Sequence, residues 1–311
     1  MCGNVPAERK SRSREKNCQL SILNCQFIII VMQSLLELLK KSVVFLEQKG
    51  VENARLNAEL IFAHVLNCKR FDLYVQFERL IREDEKARLR ELLVRRGNRE
   101  PVQYIVGDTD FRKLTLKCDR RALIPRPETE ELVDCVLDRV GERKRICDLG
   151  TGTGAIALSL AKELAGTQIT AVDFSEDALA LAKENAEVLG LAGTVNFVQS
   201  NWLEAFPRDP IFDVIVSNPP YLTDDEWNCA QPEVKDFEPL SALVAEDEGC
   251  KDCETILKMS RERLSADGFV ILETGIAQHE RLEKIAREQE FSKTESLKDY
   301  SGRERFFVAW L

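Results

Sequence analysis

Two short stretches carry residue types that could do chemistry together. The first is Asn218-Pro219-Pro220-Tyr221, which ends the apolar run "FDVIVS". Neither proline has a backbone N–H and both have a fixed φ, so the pair cannot continue a strand or enter a helix interior. The residue before them is held extended. The result is a rigid corner with two acceptors, the Asn218 side-chain oxygen and the Pro219 carbonyl, beside the flat ring of Tyr221. An amide or exocyclic amine nitrogen is a poor nucleophile, because its lone pair is delocalised. To methylate one, a site must hold both N–H groups and aim the lone pair at the methyl carbon. Preorganised acceptors with an aromatic face for stacking are suited to that. The corner reads as a clamp for a planar NH2 group.

The second stretch is Asp148-Leu149-Gly150-Thr151-Gly152-Thr153-Gly154-Ala155, between an apolar strand and a helical pattern. Glycines let backbone approach a ligand, and the helix N-terminus supplies free N–H donors. The next strand ends at Asp173, about twenty residues on, where a carboxylate would accept from both hydroxyls of a ribose. Gly150-x-Gly152-x-x-Ala155 also satisfies a loose dinucleotide fingerprint. No pyrophosphate-specific feature follows it, so S-adenosylmethionine, an adenosine without phosphate, fits better.

These residues need elements to position them. From Arg145 onward strand and helix patterns alternate: "RICDLG", "AIALSLAKEL", "QITAVDF", "EDALALAKENAEVLG", then the strand candidates "VNFVQSNW", "FDVIVSNPP", "GFVILETG" and "RFFVAWL". Such alternation implies parallel strands with crossover helices in an open, doubly wound α/β sheet. Residues 33–96 have apolar positions at helical spacing and read as a small helical bundle. Between them, alternating Phe111, Leu114 and Leu116 suggest a hairpin or an extended connector, ending in a Pro-Arg-Pro turn. The expected organisation is an extension over 1–31, a helical domain over 32–100, a hairpin connector over 101–125 and a catalytic domain over 126–311. Residues 1–31 join a basic stretch to an apolar one, like the first two regions of a signal peptide. No small-residue cleavage site follows and the apolar run is short for a membrane span. Met32 is therefore read as the start, with 1–31 a disordered or spurious extension.

The 311 residues suit two domains, and a net charge of −9 argues against gripping a nucleic-acid backbone by bulk charge. Ten scattered cysteines suggest reduced thiols in a cytoplasmic compartment. Cys250 and Cys253 form a C-x-x-C, but the chain has only two histidines, His64 and His279, so no metal site is expected.

With "LIPRPETEELV" (Leu123 to Val133) added to these motifs, the chain resembles the HemK/PrmC family, the release-factor glutamine methyltransferases. The resemblance runs from about residue 32 to Leu311. It implies a class I, Rossmann-like S-adenosylmethionine-dependent methyltransferase sheet with an N-terminal helical domain, over 32–100, that docks the substrate. The implied activity is methyl transfer to the side-chain amide of the glutamine in the Gly-Gly-Gln loop of class 1 peptide-chain release factors. Gly150, Thr151, Gly152, Thr153 and Gly154 would wrap the cofactor, Asp173 would hold its ribose, and Asn201 and Trp202 would lie near its adenine. Asn201 stands where the family usually has Asp; its amide oxygen can still accept, without charge. Asn218, which would also border the cofactor, with Pro219, Pro220 and Tyr221 would hold the substrate amide. Arg126, Pro127, Glu128 and Glu130 would line the entrance for the substrate loop. Glu238 to Leu243 resembles the family's Glu-Pro-x-x-Ala-Leu segment, with Ala245 where the family has glycine. The implied partner is a release factor, with no nucleic acid and no membrane, and the chain is taken as a monomer. Ribosomal-protein glutamine methyltransferases and nucleic-acid adenine methyltransferases are the rival enzymes, and a non-enzymatic adaptor is the rival outside catalysis.

Overall fold

A computed structural model describes residues 33–311; the expectations for residues 1–31 lie outside them. The chain divides into two compact units, at Asn98/Arg99.

The described part of the first unit is helical. In α1 (Leu35–Gln48) the Ser34 hydroxyl accepts from the Glu37 amide as an N-cap. This helix buries Leu35, Leu39, Ser42 and Leu46, one stripe at helical spacing. Then come α2 (Ala54–Leu66), the single turn α3 (Asp72–Val75) and α4 (Glu83–Gly97). Leu46, Ile61, Phe62 and Leu89 are buried among the packed faces of α1, α2 and α4. The buried Arg96 guanidinium donates to Asn57 Oδ1 at 2.7 Å, which gives it a polar partner in this small core.

The second unit opens with α5 (Val102–Val106) and an antiparallel hairpin, β1 (Asp108–Phe111) and β2 (Leu114–Lys117). Its alternating Phe111, Leu114 and Leu116 are all buried. Next come α6 (Pro127–Val140), β3 (Arg145–Leu149), α7 (Ala155–Glu163), β4 (Gln168–Asp173), α8 (Glu176–Val188), β5 (Val195–Gln199) and β6 (Phe212–Ser217). Two short helices, α9 (Asp224–Asn228) and α10 (Pro232–Phe237), precede α11 (Lys251–Arg261) and β7 (Leu264–Glu273). The chain closes with α12 (His279–Glu288), β8 (Lys293–Lys298) and β9 (Glu304–Trp310).

Seven strands form one sheet in the order β5-β4-β3-β6-β7-β9-β8. The strands from β5 to β7 are parallel, as the alternation predicts, whereas β9 runs antiparallel to both β7 and β8. The sequence reading has no strand at 293–298. That segment, "KTESLK", lacks an apolar run because it is an edge strand, exposed at both terminal lysines. Central strands are buried on both faces. Ile146, Val214, Val216 and Ile271 enter one cluster; Cys147, Leu149, Ile215 and Leu272 enter the other.

The chain lays β4 and β5 outward from β3, then returns to place β6 against β3's other side. Strand order reverses there, which is where open α/β sheets bind ligands. Leu149 and Ser217, the last residues of the two strands, are register partners. Gly150 and Asn218 are therefore delivered side by side.

Candidate active site

The glycine loop is braced from beneath by Asp148, which is fully buried. Its Oδ2 accepts from the Thr151 hydroxyl at 2.6 Å and the Ala157 amide at 3.1 Å. Burial pushes this carboxyl up to about 7. Thr151 and Thr153 are buried, and Gly154 caps α7; none of these three reaches the cavity wall. Gly150 and Gly152 do reach it.

The cavity holds about 280 Å³ and lies at the switch point. Among its walls are Asp173, Phe174, Asn201, Trp202, Asn218 and Pro220. Asp173 accepts from the Gly152 amide through Oδ2 and from the Ser175 amide through Oδ1, each at 2.9 Å. A carboxylate has about four acceptor sites, so with the Phe174 amide also directed at it Asp173 keeps room to accept from a ligand hydroxyl. Burial raises its pKa, against the three amides that hold it down. Asn201 is exposed, its amide nitrogen donating to Glu204 at 2.9 Å. Trp202 is partly buried, packs against the core cluster and shares the cavity wall with Asp252.

At the corner, Asn218 Nδ2 donates to Thr129 Oγ1 at 3.0 Å, and the Thr129 hydroxyl donates to Glu273 Oε2 at 2.8 Å. The Tyr221 hydroxyl donates to Glu273 Oε1 at 3.2 Å. Among the described residues, no donor reaches Asn218 Oδ1 or the Pro219 carbonyl. Arg305 lies over the Tyr221 ring, 5.7 Å from its centroid. The backbone leaving the corner is also fixed: Leu222 and Val244 form a parallel bridge, and the Ala245 amide donates to the Leu222 carbonyl. Ala245 has no left-handed backbone; that conformation comes later, at Asp247, Glu248 and Gly249. Glycine is required at 249, where φ is +77° and a Cβ would stand 2.2 Å from the Tyr221 carbonyl oxygen. Gly249→Ala is expected to destabilise the protein by roughly 2 kcal/mol or more. Thermal unfolding checks this, and an unchanged midpoint contradicts it.

The first turn of α6 borders the corner through Thr129. Arg126 does not pair with Glu128: its Nη2 lies 2.7 and 2.8 Å from the two oxygens of the buried Glu238. Glu128 instead faces Arg303 at 3.9 Å, the Glu130 carbonyl accepts from Arg112, and Pro127 is exposed at the helix start. None of these four lines the cavity. Cys250 and Cys253 are buried thiols on one side of α11.

Comparison with known proteins accords with this geometry. The model of the PrmC N-terminal domain matches residues 37–107, and a methyltransferase domain model matches residues 141–303. A release factor glutamine methyltransferase of Fusobacterium nucleatum is 38% identical over 277 residues, covering 88% of this chain and 78% of that protein. The chain belongs to the release factor glutamine methyltransferase family. The family protein of Pasteurella multocida is 42% identical over 245 residues, covering 73% of this chain and 81% of its own length. Among solved structures, the hMettl16 catalytic domain with a MAT2A 3'UTR hairpin has a TM-score of 0.53 at 19% identity, covering 75% of this chain and 84% of that one; this is a likeness of fold.

For a release factor glutamine methyltransferase the methyl donor is S-adenosylmethionine, and the cavity fits it. A Cβ at Gly150 would lie 3.6 Å from the Trp202 ring, so the loop offers bare backbone there. The wall carries the carboxylates of Asp173 and Asp252. Its one arginine, Arg121, is already paired with Asp119 at 2.8 Å and Glu184 at 2.7 Å. Acidic walls suit a sulfonium and an ammonium, and no free guanidinium waits for a pyrophosphate.

The sequence reading did not single out Thr129, Asp252 or Glu273 in this family member. For Glu273 a signal existed: it ends "GFVILE", a carboxylate at the carboxyl end of a central strand. Thr129 lay inside a quoted string whose charged members drew the attention.

Proposed function

We propose that this chain transfers the methyl group of S-adenosylmethionine to the side-chain amide nitrogen of the glutamine in the Gly-Gly-Gln loop of peptide-chain release factors. One observation carries the reading at the level of chemistry. A rigid corner at the cavity rim offers two acceptors without partners among the described residues, Asn218 Oδ1 and the Pro219 carbonyl, beside an aromatic ring. An amide NH2 has two donors to match them.

S-adenosylmethionine, when bound, would supply an electrophilic methyl group, the S–CH3 bond breaking as N–CH3 forms and S-adenosylhomocysteine leaving; the residues of the chain do the rest. Asn218 and Pro219 take the two N–H groups and turn the nitrogen lone pair toward the cavity. The planar amide stacks on the Tyr221 face not covered by Arg305, with Pro220 closing the rim. Positive charge that develops on nitrogen is met by acceptors already in place, so little reorganisation is needed. The proton leaves to water. Asp173 holds the ribose, Gly150 and Gly152 line its path, and Trp202 and Asn201 border the adenine end. Thr151, Thr153 and Gly154 set the loop from behind. Arg126, Pro127, Glu128 and Glu130 form the approach for the substrate loop, and the helical unit over 32–100 docks the factor. The protein works as a cytoplasmic monomer without nucleic acid. The charge of −9 supports the last point, and no helix among the described residues is long and apolar enough to cross a membrane.

The test is transfer of labelled methyl to a purified release factor, run beside the same factor with its loop glutamine changed to alanine. Oligonucleotides and ribosomal proteins serve as parallel acceptors. Label is expected on the unaltered factor alone. Label on an oligonucleotide would make the clamp one for adenine.

A further inference from the structure

We infer that Thr129 and Glu273 are positioning residues that set which end of the Asn218 amide faces the substrate. The inference rests on the reading of Asn218 as the amide clamp. An asparagine side chain is nearly symmetric in shape, and its two ends have opposite hydrogen-bonding character. With the oxygen toward the substrate, Asn218 accepts an N–H. With the nitrogen there, it repels one.

The hydrogen bonds choose between these states. Glu273 ends β7 and is 1% exposed, so its carboxylate can only accept from the groups packed on it. Oε1 is occupied by the Tyr221 hydroxyl and Oε2 by the Thr129 hydroxyl. Thr129 is 4% exposed, and its single proton is committed to Glu273. Its oxygen is then left to accept, and what it meets 3.0 Å away is the Asn218 side chain. That contact must be Nδ2, which leaves Oδ1 for the substrate. A buried acceptor three groups away thus fixes the polarity of the clamp, and every link is needed.

Protonation of Glu273 reverses the sequence. A carboxylic acid can donate to Thr129, whose own proton then turns to Asn218 and selects its oxygen. The amide nitrogen would face the substrate, and the acceptor would be lost. Burial pushes the Glu273 carboxyl up to about 7, with Arg305 and its two hydroxyl donors opposing and Glu128 adding to the rise. His279 of α12 contacts the adjoining Thr274 and is held below its ordinary value by burial, so it stays neutral around pH 7. A glutamine amide and a sulfonium do not titrate near neutrality; Asp148, also raised to about 7, braces the glycine loop and does not touch Thr129, so an acid limb in kcat that is lost in Thr129→Val would report Glu273.

The experiment measures kcat and KM for a release factor from pH 5.5 to 8.5, with S-adenosylmethionine affinity by calorimetry. It uses wild type, Thr129→Val, Thr129→Ser and Asn218→Ala. Wild-type kcat is expected to fall as pH drops through about 7. Thr129→Val, equal in shape but without the hydroxyl, should lose at least tenfold in kcat and the acid limb together. Thr129→Ser should restore both. Cofactor affinity should stay within twofold for the Thr129 variants, since Thr129 is not in the cavity wall. Wild-type rate and pH profile in Thr129→Val, equal losses in Val and Ser, or a flat wild-type profile would each overturn the inference while leaving the clamp standing. Full activity in Asn218→Ala would remove the clamp itself, and the inference with it.

Discussion

Asn218→Ala lowers kcat for methyl transfer to the release factor by roughly 10²–10³, about 2.7–4 kcal/mol of barrier, the range found when one preorganised electrostatic partner is removed from an active site. The loss falls on kcat because the acceptor gains most as charge develops on the nitrogen. In the ground state the amide N–H is only exchanging water for Asn218, so KM for the factor should rise by no more than a fewfold. Asn218→Asp is the informative companion. It keeps an oxygen for the substrate, but it cannot donate to Thr129, whose one proton already goes to Glu273. Two carboxylates would then compete for that proton, and kcat should again fall at least tenfold. Single-turnover kinetics with labelled S-adenosylmethionine make the measurement. A rate within threefold of wild type for Asn218→Ala would mean that Pro219 and Tyr221 suffice to orient the amide.

The parts of this site that were legible in the sequence are those where backbone chemistry is unusual. A double proline and a glycine loop announce themselves, because few other residues satisfy the geometry. Asp173 was legible by its position at the end of a strand. The arrangement behind them was harder to read. Thr129 and Asn218 are 89 residues apart and Thr129 and Glu273 are 144 apart, so their meeting depends on α6 docking beside β6 and β7. Nothing local in "RPETEELV" distinguishes a buried threonine from its charged neighbours, which the family resemblance placed at the predicted entrance. The same holds for the sheet. Five parallel strands follow from the alternation of strand and helix patterns, while β8 escapes notice because an edge strand can be built from polar residues. The reading of Arg126 placed it at the substrate entrance and did not reach its partner, which lies 112 residues away.

That partner makes Arg126 a structural residue as well as a candidate for the substrate approach. The Glu238 side chain is 1% exposed and meets Arg126 Nη2 at 2.7 Å, while the Arg126 side chain is 31% exposed. Burial raises the Glu238 pKa, and the Arg126 charge and hydrogen bonds from Arg126 and the Ile124 amide pull it back. Contrast Arg82–Asp84, with side chains 68% and 69% exposed, where solvent screens the pair. Removing one member of a buried pair costs about 3–5 kcal/mol, because the other charge is left without compensation. With the arginine partly in water, Arg126→Met should cost about 2–3 kcal/mol at pH 7. The sign of the pH effect follows from Glu238. Without the guanidinium its folded pKa rises further above the unfolded value. The penalty therefore grows as pH rises through that folded pKa and shrinks toward about pH 4, where the group is protonated in both states. Arg126→Met with Glu238→Gln should recover at least half of the loss, since no charge is then buried. Glu238 precedes Pro239, Ser241 and Ala242 of the cavity wall, so the single variant should also bind S-adenosylmethionine severalfold more weakly. Urea unfolding at pH 4.5 and 7, with calorimetric cofactor binding, measures both effects. Equal stability of wild type and Arg126→Met at pH 7 would show that Glu238 is held by the Ile124 amide and not by the arginine.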